Sequence, residues 1–413
     1  MDCRSFTVLK RRSNICCGDA YMNWQSAAIS FENGSHIEML FSQQKKRVLF
    51  VLKLPPPYGG GEIAQQYIYH VLKKEHHFLL FRRKSHSKAR QGRLSPANLL
   101  FGLAMIVRVL AACVVRRPKV VFIWLPKDLP AFMRTVFLSS ILRLFGIKVI
   151  GDLHGMGFDF LQRRAQKWYY RRSINVFSAI RVLSPKIGER IRDSGFHNKI
   201  VPIDNGILAP RYMKVRTSLF EQPLRLLYLG AISESKGFLR VLDLLKALRR
   251  LNVRFSLNVV GEWTTQQFHQ HARQVIRDYQ LEYSISFLGV KVENEKWKIL
   301  WKSHLLLHFS DWDGQPLTII EAMAAGVPTI ATPVGAIDEM IEHNVDGFLI
   351  DRVDQAVHII MEMLAGRIEY DAISTSARQT FERRFMLEKY IHNIDKLVRV
   401  YDHATSDSVS ENR

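Results

Sequence analysis

Two carboxylates on either side of a short turn are the residues of this sequence whose spacing best suits chemistry. Asp313 and Glu321 stand eight positions apart, and a Gly-Gln-Pro turn between them precedes an apolar helix. Pro316 suits the first position of that helix, where its missing N–H costs nothing. Free backbone N–H groups at a helix start attract anions. We therefore expect a phosphate site on Gln315, Pro316, Leu317 and Thr318, with Glu321 close enough to reach a second part of the same ligand.

A phosphate site with an acid on each side suits a ligand that carries both a diphosphate and several hydroxyl groups. A nucleotide sugar has both. The small side chains after Glu321 favour tight helix packing, and we expect the helix to end at Gly326. Pro328 then opens a short apolar run that is typical of a buried strand.

The segment DGQPLTIIEAMAAGVPTIATPVGAIDEMIEHNVDGFLI (313–350) resembles the donor-site signature of the family-4 retaining glycosyltransferases. In that signature an acid is followed by seven residues and a Glu. The resemblance covers about residues 46–400 and implies an α/β fold of GT-B architecture, with two Rossmann-like domains facing each other across a cleft. The family's usual first acid is Glu, whereas Asp313 is one methylene shorter.

The positive charge of the chain belongs to its first half. The 413 residues carry a formal net charge of +21, and residues 1–215 hold 36 Lys and Arg against 12 Asp and Glu. A solvated basic face and attraction to anionic lipid head groups both fit this asymmetry. Nucleic acid is not an expected partner, because no helix-turn-helix, zinc-finger or aromatic RNA-reading motif is present.

Two apolar runs in this half, 99–115 and 129–150, are bordered or interrupted by basic residues such as Arg116, Arg117 and Lys119. We interpret neither as transmembrane, because the first is marginal in length and the second is broken by three charges. Ordinary helices of a Rossmann domain and an interfacial, membrane-touching face remain open alternatives. The second run is expected to join a helix to a strand.

Cysteine usage and the N-terminus favour a cytoplasmic protein. The four cysteines show no metal-ligand spacing, and nothing in their pattern indicates a disulfide framework. Basic residues at 10–12 interrupt any secretory-type apolar core. With the basic half, this predicts a peripheral protein on the inner face of the cell membrane.

The length indicates two domains with additional segments. The boundaries that we expect are a disordered or mis-started extension (1–45), an N-terminal acceptor domain (46–210), a donor domain (223–380), a terminal helix returning to the first domain (381–404) and a disordered tail (405–413), with the interdomain linker at about 208–222.

Two features of the first domain are expected at the cleft. Gly60 and Gly61 follow the first predicted strand, where a glycine-rich loop lets backbone approach phosphate or sugar closely. His154 ends a later strand and should project at the carboxyl edge of the sheet. The family resemblance implies a role for His154 beside the donor sugar. Asn205 and Gly206 read as a structural turn.

In the second domain, Lys236 precedes the start of a helix, where a cation is unfavourable unless an anion lies between it and the helix end. The resemblance implies that Lys236 contacts the donor diphosphate and that the backbone near Val290 contacts the nucleobase. The family often has a second cation, an Arg, where this sequence has Ala231, so the phosphate clamp is weaker here.

The resemblance implies a retaining glycosyltransferase that moves a sugar from a nucleotide donor to a hydroxyl acceptor, with a lipid-linked glycan as the expected acceptor. Asp313 and His154 are the catalytic candidates, Glu321 is expected to hold the ribose, and no metal, cofactor or protein base is required. The alternatives are a nucleotide-sugar epimerase with the same fold and a non-catalytic nucleotide-sugar-binding scaffold.

Overall fold

The computed structural model describes residues 47–55, 59–82, 96–157, 164–210 and 223–403. The extension predicted at 1–45, the tail predicted at 405–413 and most of the predicted linker lie outside these residues. Residues Lys45–Arg413 belong to one compact unit, within which the described strands form two separate sheets.

The first sheet contains six parallel strands in the order β2-β1-β3-β4-β5-β6. Its central strands are continuous apolar runs, because helices cover both faces of the sheet. The strands are β1 (Val48–Lys53), β2 (His77–Phe81), β3 (Val120–Trp124), β4 (Lys148–Asp152), β5 (Ala179–Val182) and β6 (Lys199–Pro202).

Two helices of the first domain begin at residues whose side chains cap them. Asp128 accepts a hydrogen bond from the Ala131 N–H (3.0 Å), and Ser184 accepts one from the Ile187 N–H (3.3 Å). The apolar run 129–150 divides into a helix and a strand, as the sequence predicted. The helices are α1 (Gly60–Leu72), α2 (Pro96–Arg116), α3 (Leu129–Leu144), α4 (Arg164–Ser173) and α5 (Pro185–Asp193).

The second sheet is also six-stranded and parallel, in the order β12-β11-β10-β7-β8-β9. Numbered from its own first strand, this is the doubly wound Rossmann order. The strands are β7 (Leu224–Leu229), β8 (Phe255–Val260), β9 (Ile285–Gly289), β10 (Leu305–His308), β11 (Thr329–Ala331) and β12 (Phe348–Leu349). The helices are α6 (Phe238–Arg250), α7 (Gln266–Asp278), α8 (Glu293–Lys302), α9 (Leu317–Ala324), α10 (Ile337–Met340), α11 (Val353–Leu364) and α12 (Tyr370–Thr380).

The last helix, α13 (Leu387–His403), follows a π-helical turn and packs on the first domain. Its residues Tyr390, Ile391 and Ile394 share a buried apolar cluster with Phe50 of β1. A buried contact between Asp395 and His76, the residue directly before β2, also joins α13 to the first domain (2.9 Å). The C-terminal segment therefore holds the two domains together.

Candidate functional site

The strand order of the second sheet reverses between β7 and β10, and this places a crevice at their carboxyl ends. Ligands of doubly wound sheets bind at such a switch point. Lys236 follows β7 and Asp313 follows β10. The structure brings the two side chains together, with Lys236 Nζ 2.6 Å from Asp313 Oδ2.

The loop after β7 is fixed by contacts that do not involve a second cation. The Tyr228 hydroxyl donates to the Ala231 carbonyl (2.8 Å), and the Lys236 N–H donates to Ser233 Oγ (3.2 Å). Gly237 has φ +70°, and a Cβ there would lie 1.9 Å from the Phe309 carbonyl oxygen, so only glycine fits. Ala231, at the position where the family often has an Arg, is exposed. The loop therefore holds Lys236 at the crevice although position 231 carries no cation.

Asp313 is held by a second group that sequence reasoning missed. Nε2 of His308, the last residue of β10, lies 3.0 Å from Asp313 Oδ2. Burial opposes ionisation of Asp313, but the hydrogen bond and charge of His308, together with Lys236, keep its pKa below the usual range. The one signal in the sequence was a polar residue at the end of the buried run LLLH.

Helix α9 begins one residue later than predicted. Pro316 caps the helix with an extended ψ of 126°, rather than occupying its first turn. Proline also has no N–H, so the N–H groups of the helix start come from Leu317 and Thr318. The Thr318 hydroxyl is buried and has no hydrogen-bond partner among the described residues, and buried hydroxyls of this kind bond to an ordered water or to a ligand.

Glu321 lies one turn further along α9 and forms an ion pair with Lys296 of α8 (2.6 Å). The sequence did not single out Lys296, because a lysine on a helix surface carries no distinguishing signal. Both predicted acids of the crevice are therefore paired with cations in the structure.

His154 lies two residues beyond β4, at the carboxyl edge of the first sheet. Its Nε2 is 2.7 Å from Asp152 Oδ2, and a carboxylate only accepts, so Nε2 carries the proton. Asp152 is fully buried and also accepts from Arg181 (3.2 Å) and Gln65 (3.2 Å). Burial opposes ionisation of Asp152, but His154 first and then Arg181 lower its pKa.

Gly60 and Gly61 are the first two residues of α1 rather than part of a loop before it, and they lie between His154 and the start of α9. A Cβ on Gly61 would be 3.1 Å from His154 Cβ, and a Cβ on Gly60 would be 3.6 Å from Leu317 Cγ. The structure thus brings four of the predicted site residues from both domains to one place. Val290 follows β9 at the same edge of the second sheet, with 47% of its surface exposed.

The side chain of Gln315 contacts the first domain. Its Oε1 accepts from the Asn205 N–H (2.6 Å), and its Nε2 donates to Asp204 Oδ1 (2.6 Å). Gly314 packs next to Gly155, where a Cβ on Gly314 would lie 2.8 Å from the Gly155 Cα. Gln315 and Asn205 thus form a contact between the domains, so Asn205 is more than the turn residue that the sequence indicated.

One group of potential metal ligands occurs among the described residues, formed by Glu75, His76 and Asp395. It lies at the amino edge of the first sheet, opposite to the edge that carries His154. Arg399 pairs with both Glu75 and Asp395, so the group is an ion-pair cluster that joins α13 to the first domain.

Comparison with known proteins agrees with this geometry. Residues 213–380 match the family model of glycosyl transferases group 1, which confirms the predicted resemblance to glycosyltransferases for the domain that carries Lys236, Asp313 and Glu321. The chain is 28% identical over 181 residues to the amylovoran biosynthesis glycosyltransferase AmsK of Erwinia amylovora, covering 42% of this chain and 44% of AmsK. It is 26% identical over 174 residues to the putative colanic acid biosynthesis glycosyltransferase WcaL of Salmonella typhimurium, covering 40% and 42%. The matched regions thus span less than half of the length of these relatives.

Solved structures confirm the fold over a larger part of the chain. Anabaena HepE in complex with UDP matches with a TM-score of 0.67 at 17% identity, covering 86% of this chain and 99% of HepE. Sucrose-phosphate synthase from Thermosynechococcus elongatus matches with a TM-score of 0.67 at 16% identity, covering 86% and 99%. The chain therefore has the predicted GT-B fold of two parallel-sheet α/β domains.

Proposed function

We propose that this protein is a family-4 retaining glycosyltransferase. It would move a sugar from a nucleoside-diphosphate sugar to a hydroxyl group of a glycan or lipid-linked acceptor, in the synthesis of cell-surface polysaccharide. The observation that carries the proposal is the crevice at the switch point, where Lys236 pairs with Asp313 and where α9 begins with the unpartnered hydroxyl of Thr318. The matches to AmsK, WcaL and UDP-bound HepE support the same class of reaction.

The diphosphate would bind between Lys236 and the N–H groups of Leu317 and Thr318. The Thr318 hydroxyl, which has no partner in the described structure, would complete its hydrogen bonding by donating to a phosphate oxygen. As the bond between the anomeric carbon and the diphosphate breaks, negative charge grows on the leaving group. Preorganised donors and the helix end stabilise that charge without a metal ion.

The two acids would bind the hydroxyl groups of the donor. Glu321 would accept hydrogen bonds from the ribose and share its carboxylate with Lys296. Asp313, kept ionised by His308, would accept from the sugar or stabilise positive charge at the anomeric carbon. His154 would orient the sugar from the facing domain, with its ring held by Asp152 at Nε2 and by Arg181, whose Nη1 lies 3.5 Å from Nδ1.

The expected transfer takes place on one face of the sugar. The acceptor oxygen bonds to the anomeric carbon as the diphosphate leaves, and the acceptor proton moves to the leaving phosphate oxygen. Configuration at the anomeric carbon is retained, and no protein base is needed. We further propose that this reaction takes place at the inner face of the cell membrane.

Incubation with a panel of nucleotide sugars, with and without extracted lipids and glycans, tests the proposal. We expect release of nucleoside diphosphate only when an acceptor is present, and a product with the anomeric configuration of the donor. Conversion of the donor to an epimer without acceptor would identify an epimerase instead. Binding without turnover against every extract would indicate a scaffold.

A further inference from the structure

Helices α2 and α3 carry a large exposed apolar surface on the first domain. The apolar side chains of this surface on α2 follow one face along the whole helix and are 57–80% exposed. Those on α3, and Phe145 directly after it, form a second exposed stripe. Gly102, on the buried side of α2, packs directly against Arg134 of α3, so the two helices are neighbours on the first domain. The α2–α3 face consists of Leu99, Leu100, Leu103, Val107, Val114, Val115, Met133, Phe137, Leu144 and Phe145.

The opposite side of α2 is fixed to the sheet. Met105, Val109 and Cys113 are buried in the core of the first domain, and burial raises the pKa of the Cys113 thiol to about 11. Among the described residues, Asn98–Arg116 is the one helix with the length and hydropathy to cross a membrane, and 22% of its apolar 18-residue window is buried in the domain. A spanning orientation would remove the buried side from the core, whereas a helix lying flat keeps both sides satisfied.

Basic residues border this face. Residues 96–148 contain eight Lys and Arg but a single acid, Asp128. Arg108, Arg116, Arg117 and Arg143 are exposed. An apolar stripe with a basic border is the pattern of a helix that lies in the head-group region of an anionic bilayer.

We propose that the α2–α3 face docks the protein on a bilayer that contains anionic lipids, with both helices parallel to the surface. A second copy of the chain fits this face less well. A symmetric contact would bring two basic borders together, and neither helix contains an acid to offset their repulsion. Anionic head groups complement the border, and the acyl boundary accepts the apolar stripe.

The direction of the helices connects this face to the cleft. Both helices connect parallel strands and therefore run antiparallel to them, so their N-terminal ends lie at the carboxyl edge, where Gly61 and His154 lie. From that edge α2 extends about 31 Å along the first domain. A docked face would hold the acceptor side of the cleft at the membrane surface. This last step rests on the proposed function, whereas docking itself does not.

Sedimentation with vesicles tests the proposal on the full chain. The vesicles are made of phosphatidylcholine alone or of an equal mixture with phosphatidylglycerol. Wild type is expected to bind the mixed vesicles more tightly. Replacing Arg116, Arg117 and Lys119 by Gln removes three charges, each worth about fivefold in partitioning, so binding should fall on the order of 100-fold. A matched control removes three exposed charges from the donor domain (Arg250→Gln, Arg254→Gln and Lys298→Gln) and should bind like wild type.

A second variant tests the apolar stripe. Leu103→Glu with Val107→Glu places carboxylates on exposed positions, where the fold tolerates them, and should abolish binding to both kinds of vesicle. Tyr283→Glu, at another fully exposed position, should bind like wild type. Circular dichroism of each variant establishes that it is folded.

Three results would overturn the proposal. Wild type could fail to bind either vesicle, or both variants could bind as wild type does. Light scattering could also show a wild-type dimer that becomes a monomer in the Leu103→Glu, Val107→Glu variant, which would make the face a self-interface. Calorimetric titration of nucleotide sugars without lipid, on the same variants, tests the proposed function separately, because these substitutions lie outside the donor crevice.

Discussion

Replacing Lys236 by alanine should separate donor binding from folding. In the structure the Lys236 ammonium bonds to the Asp313 carboxylate (2.6 Å) and the Trp312 carbonyl (3.2 Å), and 32% of its side chain is exposed. Ion pairs as exposed as this contribute about 0–1 kcal/mol. Because His308 remains to pair with Asp313, we expect the free energy of unfolding to fall by less than about 1 kcal/mol.

The effect on the donor should be larger. A hydrogen bond from a charged group contributes about 1.5–3 kcal/mol, so the donor dissociation constant should rise about 10- to 100-fold. Negative charge on the diphosphate grows towards the transition state, so kcat/KM should fall at least as much as affinity.

Urea denaturation, calorimetric titration of the donor and initial rates measure these three quantities on one pair of proteins. Lys298→Ala is a matched control, since Lys298 is an exposed lysine of the same domain. Wild-type affinity and turnover in Lys236→Ala would refute the role assigned to this lysine. A loss of several kcal/mol in unfolding free energy would show that Lys236 is structural.

Further predictions concern the acids of the cleft and the absence of a metal requirement. Asp313→Asn releases Lys236, so free nucleoside diphosphate should bind at least as tightly as to wild type in calorimetry while transfer slows; weaker binding would contradict the pairing. Glu321→Gln should raise the donor dissociation constant with little change in kcat, since the ribose does not react, and a fall confined to kcat would count against it. Initial rates should survive EDTA, and a loss that manganese restores would mean that the site uses a metal. Folding lowers the pKa values of Asp152 and Asp313. The stability that these two carboxylates contribute is therefore present above the unfolded pKa of about 3.9 and is lost as the pH falls through their folded pKa values. The urea midpoint should drop as the pH falls below about 3.9, and it should drop less in Asp313→Asn.

Strand positions could be predicted because parallel strands buried on both faces are continuous apolar runs. The run at 47–55 contains β1 (Val48–Lys53), and the run at 255–263 contains β8 (Phe255–Val260). The first and last residues of helices and strands were less predictable. Pro316 is an example, because proline suits either the cap or the first turn of a helix.

Pairings between distant residues could not be predicted from the sequence. Lys296 and Glu321 meet because α8 and α9 pack side by side, and no local pattern encodes that contact. The backbone N–H of Gln315 was expected at the phosphate, and no sequence pattern indicated that its side chain reaches Asn205 on the other domain. The contact between Gln315 and Asn205 depends on how the two domains are placed relative to each other, and the family resemblance implied only that a cleft lies between them.

Calorimetric titration of the protein with UDP-, GDP- and ADP-sugars tests the central claim most directly. We expect one of them to bind at a single site and to compete with its own nucleoside diphosphate. At 100 times its dissociation constant it should stabilise the fold by about 2.7 kcal/mol. Its affinity should fall in both Lys236→Ala and Glu321→Gln. Binding of no nucleotide sugar, or binding that both substitutions leave unchanged, would contradict the assignment of this crevice as the donor site.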